Sequence, residues 1–286
     1  MPLLRKVIRL LVTDPFHYSL EGIQSCRRFR DKLCLTLRAV SYPVVFSFSV
    51  ISRRWLGRDV VNPDMFLLCD LVLENEDGLF HCRRKTGDFI TVSVRSENYL
   101  RRFFDVEEGI FVDIGANIGK YTVMVGKRLG SDGKVIAIEP EPENFQALLK
   151  NIEANRLKNV VPLNIACCSA NGEARLYLHR YAPGLHTTAA NHKQQLYRQV
   201  IVPGRTLDSV LKQLAIEKVK LLKIDVEDAE LEVLKGAIEL LRHSQELRII
   251  IEVWHEESLE FLTGLGFRVS KICEQGREYV AERVKG

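Results

Sequence analysis

The sequence predicts an α/β protein, a mostly parallel sheet with helices between its strands, behind a helical and β-rich N-terminal extension. Three observations predict this. From residue 110 onward, short β-branched apolar runs alternate with helical stretches of 12–15 residues, the rhythm of right-handed βαβ units. The runs are continuously apolar, as strands covered on both faces must be. The chain closes with FRVSKIC and REYVAERV, which read as an antiparallel pair.

The elements follow in order. Residues 1–60 form a basic, mainly helical segment, with helix-like apolar spacing in EGIQSCRRFRDKLCLTLRAV. Residues 61–105 form a β-rich lead-in, where LLCDLVLENEDGLFHCRRKTGDFITVSV suggests short strands joined at Glu76-Asp77-Gly78 and Thr86-Gly87-Asp88. Residues 106–286 carry the alternating body. Its strands are IFVDI (110–114), KVIAIE (134–139), VVPLNIA (160–166), KLLKIDV (220–226) and LRIIIEV (247–253). The intervening helices are GKYTVMVGKRLG, ENFQALLKNIEANR and AELEVLKGAIELLRH. Residues 170–205 interrupt the rhythm and are expected to form an inserted hairpin and loop.

The 286 residues can bury a proper core, and 46% apolar with 27% charged residues excludes a disordered chain. Net charge is +4, unevenly spread: residues 1–60 hold 11 Lys and Arg against 4 Asp and Glu, so the remainder nets −3. Such a segment attracts anionic partners or solvates a helix face. The seven cysteines form no C-x-x-C pair, so reduced thiols and a cytoplasmic location are expected. MPLLRKVIRLLV intersperses Arg5, Lys6 and Arg9 among apolar residues, unlike a signal peptide but compatible with peripheral membrane contact. The longest apolar run, AVSYPVVFSFSVI, has 13 residues and contains Pro43, too short to span a bilayer.

Ligands of open α/β sheets sit at the carboxyl ends of the strands. The first body strand ends in VDIGANIGKYT. There Gly115 permits a tight turn, Gly119 allows close approach, and Asp113 and Asn117 add short polar groups. Glu139 ends the next strand, 24 residues after Gly115, where a carboxylate can accept both ribose hydroxyls of an adenosine cofactor. The third glycine of the dinucleotide fingerprint is missing, which disfavours NAD.

D-x-G-x-N-x-G followed by a strand-end acid is instead the pattern of class I S-adenosylmethionine-dependent methyltransferases. The ordered blocks VDIGANIGKYT, IEPEPENFQALLKNIEAN, LNIACCSANGEARLYL, RTLDSVL and LLKIDVEDAELEVLKGA, over roughly residues 105–255, resemble the FkbM family. Asp228 stands where that family usually has Gly. The resemblance implies a Rossmann-like fold with a seven-stranded sheet, S-adenosylmethionine as cofactor, and methyl transfer to the hydroxyl of a sugar, glycan or small molecule. It also implies that Asp113, Gly115, Asn117 and Gly119 surround the methionine portion. Glu139 would hold the ribose, with Asn144 near the adenosine end and Asn164 and Ala166 bordering the adenine.

A hydroxyl needs a base to accept its proton. Asp225, ending a strand at the cofactor edge, is the first candidate and Glu227 the second. Strand alternation puts Lys223, Asp225 and Glu227 on one side if the chain stays extended. Asp225 capping the next helix is the alternative. Glu252, His255 and the insertion residue His186 are further pocket candidates. No metal is called for, Mg²⁺ between Asp225 and Glu252 being the alternative. Asp228, Glu230 and Glu232 suit a helix start. RNA is the competing acceptor, through the basic segment, and a non-catalytic nucleoside-binding protein the competing class.

Overall fold

The computed structural model describes residues 14–56, 69–179, 186–189 and 196–283. The amphipathic stretch at residues 1–12 lies outside them. The chain forms two units, Met1–Ser96 and Glu97–Gly286.

In the first unit, α1 (Asp14–Ser25) packs on α2 (Phe29–Leu56), and β1 (Leu71–Glu74) pairs antiparallel with β2 (Leu79–Cys82). The hairpin turns at Asn75, whose side-chain oxygen accepts the N–H groups of Asp77 and Gly78, an Asx turn. The strand expected at FITVSV is instead a short helix, α3 (Asp88–Thr91). Asp88 reaches back to the backbone N–H of Arg83 at 2.9 Å and to its guanidinium at 2.8 Å, which curls the chain locally. Cys34 and Cys69 form a disulfide with Cα atoms 6.6 Å apart. Seven reduced thiols were expected, but a pairing 35 residues apart in sequence leaves no spacing signal.

The second unit carries β3 (Ile110–Ile114), α4 (Lys120–Arg128), β4 (Lys134–Ile138), α5 (Pro142–Ala154) and β5 (Val160–Leu163). After an insertion come α6 (Leu207–Gln213), β9 (Leu221–Ile224), α7 (Glu230–Lys235), α8 (Ile238–His243) and β10 (Arg248–Glu252). It ends with α9 (Glu257–Gly264), β11 (Phe267–Lys271) and β12 (Glu278–Arg283). The seven-stranded sheet runs β11-β12-β10-β9-β3-β4-β5, parallel from β10 to β5, with β12 antiparallel to both neighbours. Alternation divides the core. Val112, Ile114, Leu222 and Ile224 pack with α7 and α8 on one face, while Phe111, Leu221 and Ile250 pack with Phe104, Tyr121 and Met124 on the other. Strand order reverses between β3 and β9, so a cleft opens there at their carboxyl ends.

Two expected elements are interrupted. VVPLNIA stops at Leu163 because the Asn164 side chain donates to the carbonyls of Glu139 (2.8 Å) and Pro140 (3.0 Å) and turns the chain. Ala166–Cys167 then becomes β6 of a second sheet, ordered β6-β8-β7, with β7 (Gly172–His179) and β8 (Leu196–Arg205) as the inserted hairpin. Its two ends lie side by side: Cys168 N–H donates to the Arg205 carbonyl and Thr206 N–H to the Asn171 side chain, both at 2.9 Å. AELEVLKGAIELLRH breaks between α7 and α8 because the chain at Cys168 crosses it, and a Cβ on Gly236 would lie 2.0 Å from the Cys168 carbonyl oxygen.

Candidate active site

The floor of the cleft is set by strand register. Asp113 on β3 stands opposite Lys223 on β9, and both are buried. Asp113 accepts a hydrogen bond from Thr122 Oγ1 at 2.6 Å and lies 3.9 Å from Lys223 Nζ, leaving its Oδ1 without a hydrogen bond. Burial raises its pKa, opposed by Lys223 and Thr122. Asp113 therefore works beneath the cleft.

The loop after β3 rises from this anchor. Gly115 adopts φ +79°, and a Cβ there would lie 1.8 Å from the Asp225 carbonyl oxygen. The two carboxyl ends at the switch point thus touch backbone to backbone. Gly115 and Ala116 both donate to the Ile138 carbonyl, which ties the loop to β4. Asn117, itself left-handed, donates its N–H to Glu139 at 2.8 Å, while its side-chain oxygen is buried without a partner. The other Glu139 oxygen accepts from Glu141 N–H at 2.9 Å. Burial pushes Glu139 up to about 7, against these backbone donors. Asn144 opens α5, its N–H on Glu141 at 2.6 Å, its amide 3.5 Å from Glu139.

The opposite wall is the acidic edge. β9 ends at Ile224, and Glu227 (φ +52°) and Asp228 (φ +79°) turn left-handed. The extended form on which Lys223, Asp225 and Glu227 were aligned therefore stops. The turn nevertheless brings Asp225, Glu227 and Glu252 together, with carboxylate oxygens within 4.8 Å of one another. Lys223 Nζ bonds Asp225 at 2.9 Å and lies 5.2 Å above the Tyr121 ring. Tyr121 in turn donates to Glu97 at 2.6 Å. Burial disfavours charge on Lys223, yet Asp225 and Asp113 outweigh it and its pKa is raised. Burial, then Asp225 and Glu230, push Glu227 up to about 8, with Arg277 opposing. Glu252 is raised by burial and by Asp225.

The cleft is lined by Gly115, Asn117, Glu139, Asn144, Ala166, Asp225 and Glu227 among the sequence candidates. His186 and Thr188 of the insertion face it as well. Asp113, Gly119, Asn164, Lys223, Glu252 and His255 are not among its lining residues. Gly119, at φ +94°, starts α4 against Leu148, and Asn164 pins the turn after β4. His255 bonds Asp228, with Nε2 2.7 Å from Oδ1, and does not join the carboxylate cluster. Neither Asp225 nor Asp228 caps the helix: Ala229 is the N-cap of α7, and Glu230 turns back to accept the Asp228 N–H at 2.8 Å. Sequence reasoning missed Tyr121, Glu97 and Arg277. Only Tyr121 carried a signal, two residues beyond Gly119.

The raised carboxylates set a pH dependence. Glu139, Glu227 and Glu230 have folded values of about 7, 8 and 7 against an ordinary 4.5. Their contribution to stability is full below the unfolded value and is lost as pH rises through the folded ones. Glu232, whose value is lowered, titrates below that window. The melting temperature of the ligand-free chain is therefore expected to fall between roughly pH 4.5, the ordinary value, and pH 8, the highest of these folded values. A scan in which it rises across that range would refute the cluster's electrostatics.

A Methyltransferase FkbM domain model matches residues 113–269. The chain belongs to the FkbM methyltransferase family. Its relatives include methyltransferase sdnD of Sordaria araneosa, 30% identical over 52% of this chain and 67% of that protein. Hexuronic acid methyltransferase AglP of Haloferax volcanii is 26% identical over 77% of this chain and 79% of that protein. The 31-O-demethyl-FK506 methyltransferase FkbM of Streptomyces tacrolimicus is 28% identical over 72% and 90%. The solved FkbM methyltransferase of Methylobacillus flagellatus aligns at 17% identity and TM-score 0.43 over 64% of this chain and 46% of that one.

The family's cofactor is S-adenosylmethionine, and the residues present fit it. Asn117 offers a buried, unbonded oxygen, and Glu139 is held rigidly at the cleft wall. The left-handed φ at Asp228 also accounts for the Gly usual there in the FkbM family. Asp reproduces a conformation Gly adopts without strain, so the departure leaves the acidic edge in place.

Proposed function

We propose that this FkbM methyltransferase O-methylates a hydroxyl on a sugar, glycan or small-molecule acceptor. The observation that carries the reading is the cluster of Asp225, Glu227 and Glu252 at the cleft, carboxylates crowded enough to bind a proton near neutral pH. S-adenosylmethionine supplies an activated methyl group. Glu139 would hold its ribose hydroxyls, and Gly115 and Asn117 would border its methionine end. Asp225, oriented by Lys223 at 2.9 Å, accepts the acceptor's proton; Glu227, which also lines the cleft, takes a hydrogen bond from the acceptor, and Glu252 beside them shares that proton. One relative is named for methylating 31-O-demethyl-FK506 and another for methylating a hexuronic acid, which supports an oxygen on a small molecule or sugar as the acceptor. The carboxylate wall works against a phosphate-rich acceptor such as RNA, because like charges repel at short range.

The test is transfer of labelled methyl from S-adenosylmethionine to glycan, small-molecule, lipid and RNA pools. Label is expected in a glycan or small-molecule pool, undiminished by EDTA, since the acidic edge is assigned to proton transfer and not to a cation. Label confined to RNA would overturn the acceptor assignment, and loss of activity on chelation would hand the three carboxylates to a metal.

A further inference from the structure

Helix α2 carries apolar side chains on the face turned away from its own unit. Turned inward are Leu35 and the buried charges of Asp31 and Arg38. Asp31 accepts the Val72 N–H at 3.0 Å, and the Arg38 guanidinium bonds Ser19 and lies over the rings of Tyr42 and Phe89. Turned outward are Phe29, Leu33, Leu37 and Val40, which are 81, 49, 56 and 74% exposed. At 3.6 residues per turn these four share an arc of about 80°, opposite Leu35 and Arg38.

Apolar residues clustered in water at this spacing mark a contact surface. Charge says which kind. Arg30 and Lys32 flank the arc on its two edges and both are exposed, with exposed Arg28 just before the helix. Asp31, the acid of the same turn, is buried and pairs with Arg30 at 3.3 Å, so the net positive charge of the outward face rests on Arg28 and Lys32. Among the described residues no helix is long and apolar enough to cross a membrane. A helix with this profile lies along a membrane instead, its apolar arc in the acyl boundary and its cations at the headgroups.

We propose that the outward arc of α2, Phe29, Leu33, Leu37 and Val40, with Arg28 and Lys32 beside it, is a docking face for an anionic lipid bilayer. The Cys34–Cys69 disulfide, the Asp31 bond to Val72 and the buried Arg38 hold the helix in place, so the face exists before it meets lipid. The cations confer preference for phosphatidylserine-like headgroups and dependence on salt.

The experiment is sedimentation of the full chain with vesicles of phosphatidylcholine, alone or mixed with phosphatidylserine. The chain is expected to bind the mixed vesicles and to release them as salt rises. A Phe29→Ser, Leu33→Ser, Leu37→Ser variant is expected to bind about tenfold or more weakly. Arg28→Gln with Lys32→Gln is expected to lose the preference for phosphatidylserine. Both variants should keep the parent melting temperature, because the replaced side chains are exposed. The proposal is overturned by a parent chain that ignores both vesicle types, or by a triple-serine variant that binds like the parent. It is also overturned by a parent dimer that the triple variant dissociates without any vesicle binding, which would assign the arc to a second copy.

Discussion

Asp225→Asn is expected to lower kcat about 10²–10⁴-fold while leaving the dissociation constant for S-adenosylmethionine within about threefold. Asn keeps the volume and the bond to Lys223 can be made through its oxygen, so packing is preserved. What disappears is the group assigned to accept the acceptor's proton. Lys223 retains Asp113 at 3.9 Å as an anionic partner, so the buried ammonium is not stranded. Glu227→Gln is expected to cost less, since it leaves the Lys223–Asp225 pair intact. The discriminating measurement is kcat beside a calorimetric cofactor titration. An unchanged kcat removes Asp225 from the chemistry, whereas equal losses in binding and rate reassign it to the cofactor side.

Gly115→Ala is expected to destabilise the chain by about 3 kcal/mol or more and to abolish cofactor binding. Two penalties coincide there. The backbone is left-handed at φ +79°, and the added methyl would sit 1.8 Å from the Asp225 carbonyl oxygen. Backbone cannot swing aside as a side chain can, so relief requires parting β3 from β9 at their carboxyl ends. That parting would displace Asp225 itself. Gly264→Ala is the matched control, a helix-end glycine with ordinary φ and nothing within 4 Å of the added methyl, and it is expected to be neutral or slightly stabilising. Urea unfolding of both variants measures the difference, and a Gly115→Ala chain as stable as its parent would contradict the close approach described here.

The sheet was legible in the sequence because its information is local. Val112, Ile114, Leu222 and Ile224 face one side of the sheet and Phe111, Leu221 and Ile250 the other, and only a doubly covered parallel sheet buries both sets. The glycine turn and the strand-end Glu139 were legible for the same reason, since each is fixed by its own neighbours. What escaped depends on partners distant in the chain. Nothing near Gly236 announces that Cys168 will cross it, and nothing near Cys34 announces Cys69. FITVSV has strand composition, but Asp88 spends its carboxylate on Arg83 and makes a helical turn. The acidic edge was half legible. Asp225, Glu227 and Glu252 were singled out from strand ends, yet their meeting depends on two left-handed residues, Glu227 and Asp228, that an extended reading does not contain. His255 followed the strand-end logic too and was claimed by Asp228 instead.

The inserted hairpin leaves and rejoins the domain at one neck, closed by the bonds of Cys168 to Arg205 and of Thr206 to Asn171. The pairing of Asp113 with Lys223 and the contact of Gly115 with Asp225 are made by β3 and β9 themselves, with no residue of the hairpin between them. The hairpin presents His186 and Thr188 to the cleft but bears none of the residues assigned to the cofactor. The part of the cleft wall that the hairpin supplies and the strands that carry Asp113, Lys223 and Asp225 are in this way built from separate stretches of chain. Exchanging the hairpin at its neck is therefore expected to change what the cleft admits while leaving the Asp113–Lys223 floor in place, which a melting curve and a cofactor titration of the exchanged chain would check.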